Sequence, residues 1–267
     1  GVFTTCKKRD GCPPWVISAK EVNHDKKKKT INYKNAWLKV YDLPVLYFPK
    51  FFHPDPTVKR QSGFLMPRFS DSKNLGSSLN VPYYYVISDS KDFTFKPKFY
   101  SDRKYILQSE FRTVTKNTKH TLDTSLMRGH ESAIGDDSGN SRAHFFSNSI
   151  INFDLSSFDY SKLIFNFEKS SNDNYLKQYK LNSPLIKNYG YLNSYLDFEA
   201  SNDDLSIKTS VQVYEDLNRI HSDRYEFIYP SFDISKNFNT QEKLSGNLSL
   251  SSSGYQKHRD TNVHEKI

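Results

Sequence analysis

From Ser62 onward this chain repeats one pattern, an apolar or aromatic residue followed by a polar one, in runs long enough for extended strands. Phe93, Phe95 and Phe99 fall on one side of such a strand, with Thr94, Lys96 and Lys98 on the other. Tyr105, Leu107, Ser109 and Phe111 follow, then Leu163, Phe165 and Phe167 against Lys162, Asn166 and Glu168. Leu192, Leu196, Phe198 and Ala200 share a face. Leu205, Ile207, Thr209, Val211 and Val213 then alternate with Asp204, Ser206, Lys208, Ser210 and Gln212, and the pattern continues through Phe227 and Tyr229 to Leu248 and Leu250. A strand with one apolar and one polar face needs two environments. A soluble sandwich supplies a core and water; a transmembrane barrel supplies lipid and a wet lumen. The runs here are long. Tight turns are expected at Ser101-Asp102 and Asn202-Asp203, whereas Gly129–Arg142 is a long polar stretch. Short turns at one end and long loops at the other favour the barrel.

Composition agrees. Only 36% of the 267 residues are hydrophobic, yet 18 Tyr and 20 Phe are present. Disordered chains are poor in aromatics, so this low hydropathy reads as alternation. No run reaches the ~18 apolar residues of a membrane helix, which leaves strands as the only way to span. The net charge is +8. It suits a solvated surface or an anionic lipid; there is no clustered stripe or known module for nucleic acid. Gly1 opens the chain without a signal pattern, so the expectation is a piece of a longer protein. At ~9–11 residues per spanning strand, residues 62–267 supply on the order of ten strands. Ser253–Ile267 does not look like a closing strand, so the expected barrel is incomplete.

Upstream, residues 1–14 read as a loop. Trp15–Val22 and Thr30–Tyr41 read as strands joined by the polar turn His24–Lys29, the last rungs of a stacked β-fold. Trp15, Ile17 and Ala19 share one face of the first strand, and Ala36, Leu38 and Val40 one face of the second, as an ordinary β core would have them. Leu43–Pro56 holds four prolines and reads as the connection between two domains, its aromatics suited to a membrane interface. Cys6 and Cys12 are the only cysteines. They fit an oxidising compartment and allow a local bridge, and without a His pair they make a weak zinc site. Lys26–Lys29 is a solvated turn before it is a phosphate site. Asp136–Asn140 resembles part of a calcium loop but lacks its later Glu. His53/Asp55, His130/Glu131 and His221/Asp223 have no nucleophile elbow or metal spacing. The expectation is a non-catalytic protein with no cofactor and no metal.

The stretch Thr5–Phe111 resembles the LptD family of lipopolysaccharide-assembly proteins. The resemblance is carried by TTC (4–6), WVISAKEVNHD (15–25), NAWLKVYDLPVLYFP (35–49), KRQSGFLMPRF (59–69), NVPYYYVI (80–87) and DFTFKPKFYSDRKYILQSEFR (92–112), and more loosely by SNDNYLKQY (171–179), VQVYEDL (211–217) and YEFIYPSFDIS (225–235). It implies an all-β chain: the C-terminal end of a periplasmic β-jelly roll at 1–50, a connection at 51–61, and the N-terminal strands of a large antiparallel transmembrane β-barrel at 62–267. It implies lipopolysaccharide transport and insertion at the bacterial outer membrane. The implied partners are lipopolysaccharide, outer-membrane lipid, a plug lipoprotein LptE and a periplasmic bridge protein LptA. Pro67 and Pro82 would mark a lateral gate, since proline removes a ladder donor, or merely a strand end or bulge, and Trp15, Ile17, Ala19, Ala36, Leu38 and Val40 would line a jelly-roll groove for acyl chains. Cys6 stands where the family has a cysteine that pairs with the distant C-terminal part; a Cys6–Cys12 bridge stays open beside it. The alternatives are an outer-membrane porin and a soluble all-β binding module.

Overall fold

The computed structural model describes residues 1–3, 15–101, 104–130, 140–219, 221–239 and 247–259. Cys6, Cys12 and most of Asp136–Asn140 lie outside the described residues. The chain divides into two units, Gly1–Gln61 and Ser62–Ile267. Both are antiparallel β-structures, so the all-β expectation holds. Among the described residues no helix is long and apolar enough to cross a membrane, which says nothing about crossing by strands.

The first unit is a sheet in the order β1 (Val2–Phe3), β2 (Trp15–Asp25), β3 (Thr30–Val40), β4 (Leu43–Pro54). Asp25 closes the β2–β3 turn by accepting the Lys27 and Lys28 amides on Oδ1, at 3.0 Å each. Ile17, Ala19, Tyr33 and Ala36 form the buried core, with Trp15, Leu38, Phe48 and Phe51 packed against it. Tyr33 and Ala36 are three residues apart and would face opposite ways in a regular strand. Asn35 between them has φ 51°, the left-handed region that Asn tolerates, and this reorients the strand.

β4 corrects the reading of Leu43–Pro56 as a connection. Through Pro54 it is a strand, pairing with β3 from Val40–Leu43 to Thr30–Pro54. The three prolines within it are tolerated because β4 is the edge of its sheet and bonds on one side only. Pro44 stands beside a register shift, and Pro49 falls opposite Asn35, between the Lys34–Lys50 and Ala36–Phe48 pairs.

Among the described residues the second unit is a 13-stranded sheet. Its first hairpin is β5 (Gly63–Phe64) and β6 (Arg68–Ser72) against β7 (Gly76–Asn80) and β8 (Tyr83–Ser88). Then come β9 (Lys91–Tyr100), β10 (Tyr105–Val114), β11 (Thr118–His130), β12 (Asn140–Asn152) and β13 (Tyr160–Ser170). A short helix α1 (Tyr175–Tyr179) precedes β14 (Tyr191–Ser201), β15 (Leu205–Asp216), β16 (Tyr225–Asn239) and β17 (Asn247–Arg259). Strands from β9 on pair in chain order, and β6 and β17 end the sheet without pairing each other.

The register places the alternation. Phe95 faces Ser109, Thr124 faces Phe145, Phe165 faces Leu196, and Thr209 faces Phe232 across every second ladder. This face is apolar yet exposed: Leu126, Phe145, Phe165, Phe167, Leu196, Val211 and Phe232 all present large side chains to the outside. The opposite face carries Asp92, Thr94, Gln108, Glu110, Asp123, His144, Asn166 and Glu168, and these polar groups are the buried ones. That is the inverse of a soluble protein, and an apolar surface of this extent marks a contact with something other than water.

The connections sort by the strand ends they leave. Ser72, Tyr100, His130, Ser170 and Asp216 end strands at one side of the sheet; Ser88, Val114, Asn152, Ser201 and Asn239 end strands at the other. The longest, 171–190, folds over the polar face. Its Tyr175, Leu176, Tyr179 and Leu181 form a small core with Tyr100, Ile106, Met127, Phe146, Leu192 and Leu217. Leu192 is thus buried and does not share the exposed face with Leu196, as the alternation suggested. The cause is Glu168, whose Oε2 accepts the Asn193 amide at 2.9 Å while Asn166 Nδ2 donates to the Asn193 carbonyl at 2.7 Å. β14 leaves the β13 ladder beyond the Asn166–Tyr195 pair.

Candidate functional site: an interrupted first hairpin beside a covered polar face

Pro67 and Pro82 are brought to the same level of the first hairpin. The ladder runs Gly63–Tyr84, Phe64–Tyr83, stops, and resumes at Arg68–Asn80. Leu65, Met66 and Pro67 on one strand stand against Val81 and Pro82 on the other, so the register shifts by one residue, as in a bulge. At the break the Leu65 amide donates to the Pro82 carbonyl at 2.8 Å. In an antiparallel pair the reciprocal bond would run from the nitrogen of residue 82 to the carbonyl of Leu65, and proline has no hydrogen to give.

The next ladder repeats the defect. Val81 donates to the Pro97 carbonyl at 3.2 Å, and Pro97 cannot return the bond. Pro97 lies inside β9, where an interior proline is unusual. Its nitrogen points at the interrupted Val81 pair, which is why it fits. Sequence reasoning missed Pro97, although the signal was present: Pro67, Pro82 and Pro97 recur every fifteen residues. In a hairpin sheet of this strand length, that spacing returns each proline to nearly the same height. Phe64, Met66 and Phe69 are exposed along this edge, with Met66 84% accessible.

Beside the break, the polar face holds a buried network. Asp123 Oδ1 accepts from His144 Nε2 at 2.7 Å, and His144 Nδ1 meets Ser125 Oγ at 2.5 Å. Ser125 Oγ meets the Tyr175 hydroxyl at 2.7 Å. Gln108 Nε2 donates to both Asp123 oxygens, at 3.0 and 3.1 Å, and to the Asn182 carbonyl at 3.1 Å. Lys96 Nζ, bonded to Glu110 at 2.5 Å, stands 4.0 Å from Asp123. Serine, histidine and aspartate here have the order of a hydrolytic triad. Asp123 is fully buried, however, and Ser125 is occupied by Tyr175, so the groups anchor 171–190 to β10, β11 and β12. The scattered histidines of the sequence thus include one, His144, that only the β11–β12 register brings to its partners.

In the first unit the six expected groove residues form three directly opposed pairs: Trp15–Val40, Ile17–Leu38 and Ala19–Ala36. Ile17, Ala19 and Ala36 are buried. The His53/Asp55 pair does not form as read. His53 Nε2 meets the Tyr33 hydroxyl at 2.8 Å, and Asp55 instead bonds His24 Nε2 at 2.5 Å. Asp55 also accepts the Thr57 amide at 2.8 Å and hydroxyl at 2.7 Å, and these donors, with His24, hold its carboxyl below the usual range. Burial pushes the Tyr33 hydroxyl up. The side chains of His130 and His221 lie outside the description, as does Glu131. Among the described residues no cluster of His, Cys, Asp and Glu is placed to hold a metal.

Comparison with known proteins bears on this site. Residues 31–119 match the family model described as LptD protein. The chain is 38% identical over 110 residues to the LPS-assembly protein LptD of Shewanella frigidimarina, covering 41% of this chain and 14% of that protein. It is 33% identical over 125 residues to that of Legionella pneumophila strain Paris, covering 47% and 14%. With the protein of Pseudomonas fluorescens it shares 25% identity over 220 residues, covering 80% and 22%. The chain therefore spans less than a quarter of the length of these relatives, and none of the three is a porin. The matched part runs from β3 through β10 and contains all three aligned prolines, so the similarity to the LptD model falls on the interrupted hairpin itself.

Proposed function

We propose that this chain is part of a lipopolysaccharide transport and insertion protein of the Gram-negative outer membrane, with Ser62 onward forming the N-terminal strands of a transmembrane barrel. The observation that carries the reading is the inverted sheet: polar groups buried on one face, large apolar side chains exposed on the other. Lipid outside and a wet lumen inside are the environments that make both faces favourable. Residues 1–61 then lie in the periplasm, because the chain enters the first barrel strand at the end with the shorter connections. The three opposed pairs from Trp15 to Val40 belong to the end of a β-jelly roll and line a path for acyl chains. A plug lipoprotein of the LptE type and a bridge protein of the LptA type are the partners this reading calls for.

The mechanism is non-catalytic. Acyl chains move along the apolar groove, the polar part of the lipid passes the hydrated lumen, and the lipid leaves sideways through a seam. The first hairpin is one side of that seam. Its strands are joined at the proline level by single hydrogen bonds where an unbroken ladder would have pairs. In a membrane this matters more than in water, because no solvent satisfies the freed groups while the seam opens, so having fewer bonds to break lowers the barrier.

The test is a covalent staple. In the full-length protein, a cysteine at Ser70 on β6 is cross-linked to a cysteine on the strand that closes the barrel, and surface lipopolysaccharide is measured. Stapling is expected to abolish delivery to the surface, with recovery on reduction. Undiminished delivery by the fully cross-linked protein would rule out lateral exit beside Pro67 and Pro82.

A further inference from the structure

A cavity of about 600 Å³ lies within the second unit, between the interrupted first hairpin and the 171–190 segment. Its floor is Thr94, Lys96 and Lys98 of β9 with Ile106 and Gln108 of β10; its roof is Tyr179–Asn182 and Pro184. Pro82 is part of its wall, so it opens at the proline level described above. The cavity is of the size that takes small ligands.

Its charge is one-sided. Arg68, Lys96, Lys98 and Lys180 line it, and no lining residue is a carboxylate. Lys96 is neutralised from behind by Glu110. Lys98 is not: half-buried, its ammonium sits 5.0 Å above the Tyr100 ring, with no carboxylate at salt-bridge distance among the described residues. Lys180 ends α1 in the left-handed conformation, φ 45° and ψ 56°, which fixes its backbone at the roof. A half-buried cation without a counter-charge is costly unless an anion completes it. The opposite side of the cavity is greasy. Leu65, Met66 and Phe69 line it and are exposed at the sheet edge. Cations at one end and mobile apolar side chains at the other match an amphiphile.

We propose that this cavity is a binding site for a phosphate-bearing anionic lipid headgroup, held by Lys98, Lys180 and Arg68, with the acyl part leaving over Leu65, Met66 and Phe69. Phosphate suits the site because an ammonium is a point charge that pairs with it without a fixed geometry, while the Arg68 fork adds direction. The inference rests on the reading of the second unit as a lipid-exporting barrel and adds to it a holding point beside the seam. The Asp123–His144–Ser125–Tyr175 anchor supports the roof, since it ties the start of α1 to the sheet, and Gln108 ties the other side through Asn182.

The test uses the full-length protein with its partner chains, purified in a zwitterionic detergent. Equilibrium binding is measured for bis-phosphorylated lipid A, for the same lipid with both phosphates removed, and for inorganic phosphate. The wild-type protein is expected to prefer the phosphorylated lipid by about tenfold or more, the scale of one or two charge-assisted contacts. Lys98→Gln combined with Lys180→Gln is expected to bring the two lipids within about twofold, whereas Lys98→Arg with Lys180→Arg, which retains the charges, keeps the preference. Equal binding of the two lipids by wild type overturns the phosphate site and leaves lipid export standing. Failure to bind either lipid removes the export reading as well. Inorganic phosphate binding as tightly as the lipid would assign the cavity to the free anion instead. A preference unchanged in the folded glutamine variant overturns the assignment to these lysines.

Discussion

Replacing Pro82 and Pro97 together by alanine should close the weak place in the first hairpin. Leu65 already donates to the carbonyl of residue 82 at 2.8 Å, and Val81 to that of residue 97 at 3.2 Å. Both pairs of backbones are therefore at ladder distance, and only the donor is missing on one side of each. An alanine nitrogen at 82 would meet the Leu65 carbonyl, and one at 97 the Val81 carbonyl. Each regained bond is worth about 1 kcal/mol net. Two of them amount to ~2 kcal/mol, or roughly thirtyfold in the local opening equilibrium, before the flexibility that alanine returns to the open chain takes back ~0.4–1 kcal/mol per site. The expected result is slower amide exchange across 63–88 by a factor of roughly three, and at most about eight, with β14 and β15 unchanged. Surface delivery of lipopolysaccharide should slow in parallel. Pro56→Ala, between β4 and β5 and outside both sheets, is the control. Exchange in 63–88 that is unchanged or faster in the double variant would refute the argument that missing donors, and not edge position alone, make this hairpin weak.

Three further outcomes follow from other parts of the structure. Phe167→Lys, on the exposed apolar face, should cost ~2–4 kcal/mol for the barrel in a bilayer if its site is near the midplane, whereas in a water-facing sheet it would be neutral; denaturant titration in lipid decides between them. His144→Ala removes one of the donors to the fully buried Asp123 carboxylate and should destabilise the second unit by roughly 1.5–3 kcal/mol, with faster exchange in 172–186 where the anchor is lost. Asp55→Asn tests acid sensitivity in the first unit. The Asp55 carboxyl is held below its ordinary 3.8, so its contribution is present above that pH and is lost as pH falls through the depressed value. Both tryptophans, Trp15 and Trp37, are in this unit, so their emission during acid titration should show the wild type losing an increment below about pH 4 that the variant lacks.

The alternation was legible because side-chain direction in a strand is a local property. Phe93, Phe95, Leu163 and Phe165 fall on the face the pattern assigns them, and the residues assigned to one face of β2 and to one face of β3 turn out to oppose one another from Trp15–Val40 to Ala19–Ala36. What failed depended on partners distant in sequence. The prolines of β4 look like breakers until the strand is known to be an edge, with one side free of ladder bonds. Leu192 leaves its face because Glu168, in another strand, occupies the ladder. Asp123 and Ser125 share a strand face by their spacing alone, but His144 reaches them only through the β11–β12 register, and nothing local announces that 171–190 will fold back over them.

A sheet with a deliberately weak edge must keep the weakness from spreading. Two ladders farther from the edge are continuous: β10 to β11 from Tyr105–Arg128 to Val114–Lys119, and β14 to β15 from Tyr191–Asp216 to Ser201–Ser206. Between those regions and the first hairpin stands β9, whose irregularities, at Pro97 and opposite the register shift between Val86 and Ser88, face only the hairpin, while its far side pairs with β10 from Tyr105–Phe99 to Thr113–Lys91 without a break. The buried anchor is bonded to β10, β11 and β12, one strand further in, and draws nothing from β5 to β8. Opening of the first hairpin therefore breaks few hydrogen bonds and none of the anchor. Restoring a donor at 82 and 97 should stiffen the edge alone, whereas breaking the anchor at His144 should loosen the roof without closing or opening the edge. If the two perturbations instead shift exchange in both regions together, the edge and the covered face are one cooperative element, and the seam cannot move independently of the 171–190 segment.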